Sequence, residues 1–299
     1  MNDKLEFLIA LAREQHFGRA AAACGVTQPT LSFAIRQLEE GFGVLLVNRG
    51  SRYRGLTAEG ERVLEWARRI VGDTRAMRDE IRSLRLGLVG TLRIAAIPTA
   101  LAMLPSLTTP YRAKHPGVRF TLLSRNSSEI LHLLENLEID AGVTYLDNEP
   151  LGRARGLPLY RERYRLLTSA GAALGDRAQV GWAEVARIPL CLLTPDMQNR
   201  RILDRLLASV GQGAAPTMES NSMIALVAHV RTGKWATIMP ENVAETLGLT
   251  EVIRAIPIVA PEVTNLVGLV VPGREPMAPL TAALVQEAQA IARGVIPAG

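Results

Sequence analysis

Between Phe17 and Phe42 two helical runs are separated only by a short turn, and that turn most constrains what the chain can fold into. The first run, Phe17-Gly18-Arg19-Ala20-Ala21-Ala22-Ala23-Cys24, stops at Gly25, a residue that readily takes the left-handed conformation ending a helix. Val26 and Thr27 complete the turn. Thr27 is a natural N-cap, and Pro29 falls in the next helical turn, where its missing N–H removes only an orphan donor. The second run reaches about Phe42, with Leu31, Ala34, Ile35, Leu38 and Phe42 on one face. Small Ala21 lets the helices cross closely and Leu31 plugs the crossing. This is the pattern of a helix-turn-helix, although an ordinary structural hairpin of helices has it too.

The outward face of the second helix favours the first alternative. It carries Gln28, Thr30, Ser32, Phe33, Arg36 and Gln37, mostly side chains that read base edges or hold phosphates. A merely solvated face would more often carry Glu/Lys pairs; here only Glu39 and Glu40 occur, late in the helix. Upstream, Leu5, Leu8, Ile9 and Ala12 predict an amphipathic helix over residues 3–14. Downstream, the strand-like Val44-Leu45-Leu46-Val47 is followed by a turn at Gly50-Ser51. Arg49, Arg52 and Arg54 surround that turn and suit a wing against phosphates or a minor groove. An ordinary solvated turn is the other reading.

From Thr57 to about Leu86 a long helix is predicted. Val63, Ile70, Met77 and Leu84 recur every seven residues, with Trp66, Ala67, Thr74 and Ile81 as a second seam. Such spacing argues for a partner helix, so Val63, Trp66, Ile70, Met77, Ile81 and Leu84 are the candidate dimerisation residues; a long helix packed on its own chain is the other reading.

Beyond a hinge at Gly87–Gly90 the pattern changes. Apolar strands at 91–97, 118–124, 140–144, 165–168, 189–193 and 263–271 alternate with helices at 127–136, 196–210, 222–232 and 279–293, and Ala236–Met239 leads into Pro240. Alternation of this kind implies a mostly parallel sheet covered by helices, an α/β fold. Ligands in such folds bind past the carboxyl ends of strands, at helix N-termini. The corresponding turns hold Pro98, Thr99 and Ala100; Arg125, Asn126 and Ser127; Thr194; and Asn221 and Ser222. Thr144, Asn199 and Arg200 lie alongside them. Backbone N–H groups and small polar side chains there favour an anion such as a carboxylate, with Arg125 or Arg200 for charge pairing. For any one Ser, Thr or Asn, plain N-capping is the competing role.

Composition narrows the rest. The 299 residues suffice for two or more domains, and 48% hydrophobic residues argue against disorder. The net charge of +5 permits a nucleic-acid partner without demanding one. Residues 1–87 hold 14 basic and 11 acidic side chains, a higher excess per residue than the remainder. Met-Asn-Asp-Lys-Leu-Glu is not a signal peptide, and no apolar run is long enough to span a membrane. A cytoplasmic location and no membrane partner are expected. Cys24 and Cys191 have no metal or disulfide spacing and suit buried, inert thiols. The four histidines are scattered, and no nucleophile elbow, phosphate loop or carboxylate pair occurs, so neither an enzyme nor a cofactor is expected.

Residues 17–60, FGRAAAACGVTQPTLSFAIRQLEEGFGVLLVNRGSRYRGLTAEG, closely resemble the DNA-binding signature of LysR-type transcriptional regulators. The matching residues are Ala20-Ala21, Thr27-Gln28-Pro29, Ser32, Ile35, Leu38-Glu39, Gly43, Leu46, Arg49, Leu56-Thr57 and Gly60. Phe33 departs from the polar or basic residue usual there, and Val47 replaces a usual Phe. Looser motifs extend the resemblance over the whole chain: Leu104-Pro105, His115-Pro116-Gly117, Asp140-Ala141-Gly142 and Met239-Pro240. Pro110 and Lys234-Trp235 depart from it. The resemblance implies a winged helix-turn-helix over 1–60, a linker and dimerisation helix over 57–87, and an effector-binding domain over 91–299. That domain would have the two-lobed α/β fold of periplasmic solute-binding proteins, lobe I at about 91–163 and 266–299 and lobe II at about 164–265. The implied DNA-binding residues are Thr27, Gln28, Pro29, Thr30, Ser32, Phe33, Arg36, Arg49, Arg52 and Arg54. The implied partners are double-stranded DNA, a small effector between the lobes, a second subunit or three more, and RNA polymerase. A solute-binding protein or an enzyme on the same two-lobed fold is disfavoured by residues 17–60.

Overall fold

The computed structural model describes residues 1–48, 53–147, 150–211, 216–248 and 252–295. Four helices open it: α1 (Asn2–Glu14), α2 (Phe17–Ala23), α3 (Gln28–Phe42) and α4 (Ala58–Leu86). Each junction has a local cause. His16 Nδ1 accepts from the N–H groups of Gly18 and Arg19 and starts α2. Gly25 has a φ of +67° after α2. Thr27 caps α3, its Oγ1 accepting from Thr30 N at 3.4 Å. Thr57 caps α4, accepting from Gly60 N at 2.9 Å while its hydroxyl donates to Leu45 O at 2.6 Å. Leu5, Leu8, Leu11, Ala20, Leu31, Ile35, Leu38 and Leu46 form one core, which the first half of α4 completes with Leu64, Ala67 and Val71.

After Gly87 come β1 (Gly90–Ala96), a 3-10 helix (Pro98–Met103), α5 (Leu104–Lys114), β2 (Val118–Ser124), α6 (Ser127–Glu135), β3 (Ala141–Tyr145) and β4 (Ala154–Glu162). The second lobe holds β5 (Tyr164–Ser169), β6 (Val180–Gly181), α7 (Trp182–Val185), β7 (Cys191–Leu193), α8 (Gln198–Ser209), β8 (Met218–Ser220), α9 (Met223–Val230), β9 (Thr237–Pro240), α10 (Glu241–Thr246) and β10 (Ile253–Val259). The chain then returns to the first lobe with β11 (Asn265–Pro272) and α11 (Pro279–Val295).

The first sheet has the order β2-β1-β3-β11-β4, the second β6-β10-β5-β9, and β7 pairs with β8. The expectation of a mostly parallel sheet is corrected here. β1 runs parallel to β2 and β3, β6 to β10 and β7 to β8, but β11 is antiparallel to both β3 and β4, and β5 is antiparallel to both β10 and β9. The chain passes between the lobes directly in extended form, and β11 re-enters the first sheet against the local direction. Pro110 lies inside α5, which continues through it.

The helical unit is fastened to the first lobe. Leu137 packs against the N-terminal core, and Arg68 donates to Glu135 and Asn136, both at 2.9 Å. Arg153 reaches Glu65 at 2.8 Å. The Arg274 guanidinium lies over Gly72 of α4, where any Cβ would strike its Nη1.

Candidate DNA interface and effector cleft

On α3 the structure separates two faces. Leu31, Ala34, Ile35 and Leu38 are buried; Gln28, Pro29, Thr30, Phe33 and Arg36 are exposed beside the exposed cap Thr27, and Ser32 is half-buried. Seven sequence-predicted positions thus share one side of one helix and its cap. Val47 and Leu56 form an antiparallel bridge at the base of the wing, and Asn48 Nδ2 donates to Leu56 O at 2.8 Å. Arg54 is exposed beyond it. Arg49 and Arg52 lie outside the described residues.

Glu39 is not a late solvated residue. It is buried, and its Oε1 accepts from Leu46 N at 3.0 Å and Val47 N at 3.3 Å, so it ties α3 to the base of the wing. Gly60 is the second tie. Its missing side chain admits the Leu46 carbonyl, which would stand 2.0 Å from a Cβ.

Along α4, Trp66, Ile70, Met77, Ile81 and Leu84 form an exposed apolar stripe on one face. Val63 does not join it. It is half-buried and packs against the N-terminal core, and Ala67 is fully buried there. Heptad spacing located the helix, but its first half divides its apolar residues between its own domain and the free face.

Where the two lobes meet, several predicted residues come together. Pro98, Thr99 and Ala100 are buried just past β1. Asn126 caps α6 in a reciprocal box with Glu129, and its Nδ2 reaches Asp196 of the second lobe at 3.4 Å. Asn199, in the first turn of α8, donates to Tyr145 Oη at 3.3 Å. The Ser127 and Thr144 hydroxyls are buried without a hydrogen-bond partner. Thr194 stands close enough to Asp196 to hold that carboxyl below its usual range, together with Asn126, although it completes no hydrogen-bond geometry. α8 starts without a side-chain cap. Asn221 and Ser222 are exposed, and Ser222 caps α9.

The two candidate arginines behave differently. Arg200 is buried and committed within the second lobe, to Asp204 and Glu219 at 2.6 Å each and to Leu193 O at 2.8 Å. With these acceptors it is a strut between α8 and the β7/β8 pair. Arg125 is exposed and donates to Ser124 O.

Sequence reasoning missed the centre of this region. Glu162 ends β4 and is buried, accepting from Tyr145 at 2.5 Å, while Asn265 donates to Tyr164 Oη at 3.0 Å. Burial pushes the Glu162 carboxyl up to about 7, against the hydrogen-bonding pull of Tyr145, Tyr164 and Asn199. In Arg161-Glu162-Arg163 nothing marks Glu162 as internal.

Both cysteines are free. Cys191 is fully buried and its thiol is pushed up to about 11 by burial; Cys24 is half-buried and also raised by burial. No helix among the described residues is long and apolar enough to cross a membrane. No His/Cys/Asp/Glu group there is arranged to hold a metal.

A two-lobed α/β domain behind a helix-turn-helix with a long helix defines a one-component regulator. The profile of the bacterial regulatory helix-turn-helix protein, lysR family, matches residues 2–61, and that of the LysR substrate binding domain matches residues 85–293. The chain belongs to the LysR family: it is a DNA-binding transcriptional regulator with a substrate-binding effector domain. It is 27% identical over 288 residues to the DNA-binding transcriptional dual regulator OxyR of Escherichia coli K12, covering 96% of this chain and 93% of that one. An SDS degradation transcriptional activation protein of a Pseudomonas species is 44% identical over 126 residues, 41% of each chain. Among solved structures, a full-length OxyR variant from Pseudomonas aeruginosa superposes with a TM-score of 0.75 at 24% identity, over 98% of this chain and 95% of that one. Full-length CbnR complexed with its target DNA gives 0.61 at 22% identity, over 97% and 99%.

Proposed function

We propose that α3 enters the major groove with Gln28, Pro29, Thr30, Ser32, Phe33 and Arg36, Thr27 fixing its start. Arg49, Arg52 and Arg54 of the wing hold the adjacent backbone. The observation that carries this reading is the largely polar, exposed face of α3 opposite a buried face that, Glu39 apart, is apolar. Two subunits pair through Trp66, Ile70, Met77, Ile81 and Leu84, giving two half-sites, in a homodimer or a homotetramer. The domain division is 1–60, 57–87 and 91–299, and the protein works in the cytoplasm, where DNA and RNA polymerase are its partners.

The effector is a small molecule held between the lobes by the turns at Pro98–Ala100, Asn126–Ser127 and Thr194–Asn199. The orphaned Ser127 and Thr144 hydroxyls support a polar ligand there. The uncapped start of α8 supports an anion or carboxylate. A thiol switch is not proposed, although relatives are named hydrogen peroxide-inducible activators. The effector domain has only Cys191, which is buried with a raised thiol.

Salt-dependent binding to the DNA upstream of its own gene tests the first part. The logarithm of affinity should fall linearly with the logarithm of salt, and Arg54→Ala should flatten that slope by about one. A salt-independent interaction would defeat the reading. Thermal shift against small carboxylates and inorganic anions tests the second: a ligand at about 100-fold its Kd adds roughly 2.7 kcal/mol. Shifts only from neutral or cationic compounds would replace the anion.

A further inference from the structure

Phe33 is 61% exposed on α3, and apart from Pro29 the other exposed side chains of that face are polar. Every other large apolar side chain in the first three turns, Leu31, Ile35 and Leu38, is at most 2% exposed. Around Phe33 on the outward side stand Pro29 one turn earlier and Arg36 and Gln37 one turn later. The ring has no donor or acceptor, so it cannot take part in the hydrogen-bonded reading that its neighbours offer. On the floor of the major groove one feature matches it: the 5-methyl group of thymine, the apolar element in an otherwise polar pattern.

We infer that Phe33 is a specificity-determining residue that packs on a pyrimidine 5-methyl group, so that each half-site carries a thymine facing it. This rests on α3 being the groove-reading helix. Pro29, one turn away on the same side, extends the apolar contact along the groove. Arg36 and Gln28 supply the hydrogen bonds on either side of it. Removing water from one methyl group against the ring is worth about a fourfold change in affinity. Because the contact involves only the methyl, 5-methylcytosine offers the same group, whereas uracil does not.

The test uses full-length protein and duplexes it recovers from a randomised library. Each thymine of a half-site is replaced singly by deoxyuridine, which pairs with adenine unchanged and lacks only the methyl. The expected result is one position per half-site where the wild type binds about fourfold more weakly. Phe33→Ala should bind the thymine and uracil duplexes alike, and selection with that variant should lose the thymine at that position. Phe33 is exposed, so the variant keeps its fold, and its melting temperature checks this. If the wild type and Phe33→Ala respond identically to every uracil while Gln28→Ala and Arg36→Ala weaken binding, the thymine contact is wrong and the groove-reading helix stands. If Gln28→Ala and Arg36→Ala also leave binding untouched, or no duplex is recovered, both fall.

Discussion

Tyr145, the last residue of β3, donates its hydroxyl to Glu162 at 2.5 Å, and both side chains are buried where the lobes join. Around that carboxyl stand Thr99 from the 3-10 helix, Tyr164 from β5 and Asn199 from α8. None of these carries a cation, so the carboxyl is stabilised by hydrogen bonds alone against the cost of burial. Its folded value of about 7 lies above the ordinary 4.5. In the unfolded chain the group ionises first, so between roughly pH 4.5 and 7 folding opposes ionisation and stability falls as pH rises. The loss levels off above 7, at on the order of 3 kcal/mol. Glu162→Gln keeps the shape and an acceptor for Tyr145. Urea melts should show this variant equal to the wild type near pH 4 and more stable by that amount near pH 8. A difference independent of pH would mean that Glu162 is already ionised in the fold.

Glu39 predicts a different failure. Replacing it with Ala strands the N–H groups of Leu46 and Val47, which both donate to Oε1. Each buried orphan costs about 1–3 kcal/mol. Glu39→Ala should lower stability by about 2–4 kcal/mol and weaken DNA binding through the loosened wing, while Glu40→Ala, exposed one residue on, changes neither. Denaturant melts and duplex titrations of the two variants decide it.

The stripe on α4 predicts the assembly. Ile70 is 43% exposed and Ile81 58%. A charge introduced at either would be buried in a helix pair, so Ile70→Glu or Ile81→Glu should yield monomers in sedimentation at micromolar concentration. Val63→Ala should leave the assembly intact and instead lower stability by roughly 1 kcal/mol, because Val63 packs on its own core. Dimers persisting in both Glu variants would move the interface elsewhere.

Cys191 predicts chemical silence. Its thiol is fully buried and held up at about 11, with Sγ 3.7 Å from Leu226 O. Below pH 9 a thiol reagent should modify Cys191 only at the rate of local or global unfolding, and quantitatively in denaturant. Rapid labelling of Cys191 in the folded protein, with a change in DNA binding, would restore thiol chemistry as a switch.

What was legible in the sequence was what is decided locally. Thr27, Pro29, Gly25 and the spacing of Leu31, Ile35 and Leu38 fix two helices and their crossing without help from the rest of the chain. β2 was legible end to end at 118–124. β4 and β10 were not read as strands, because Pro158 and Pro257 interrupt them. The fold accommodates Pro158 on an edge strand, opposite an irregularity at Val267/Gly268. Glu162 was invisible for another reason. Its burial is imposed by β3 and α8, which are distant in sequence, and its flanking arginines mimic a solvated run. The heptads of α4 were legible as a helix, but a period does not say which neighbour each side chain meets.

Leu137 follows α6 with a φ of +61°, a left-handed conformation that a leucine adopts only at a cost. In return its side chain enters the hydrophobic core of the DNA-reading helices, while Arg75 holds its carbonyl at 3.3 Å. The first lobe and the winged unit are therefore one frame, rooted together ahead of the Gly87–Gly90 connection. The second lobe joins that frame through two chain passages, at Arg163 and before Asn265, and through side-chain contacts such as Asn126 with Asp196 and Asn199 with Tyr145. A swing of that lobe would leave the reading helix of its own subunit still with respect to lobe I. On the function proposed above, a signal from the cleft would leave the subunit outward, through the surface the second lobe shows to its neighbours, and reach DNA as a change in how whole frames are spaced along it.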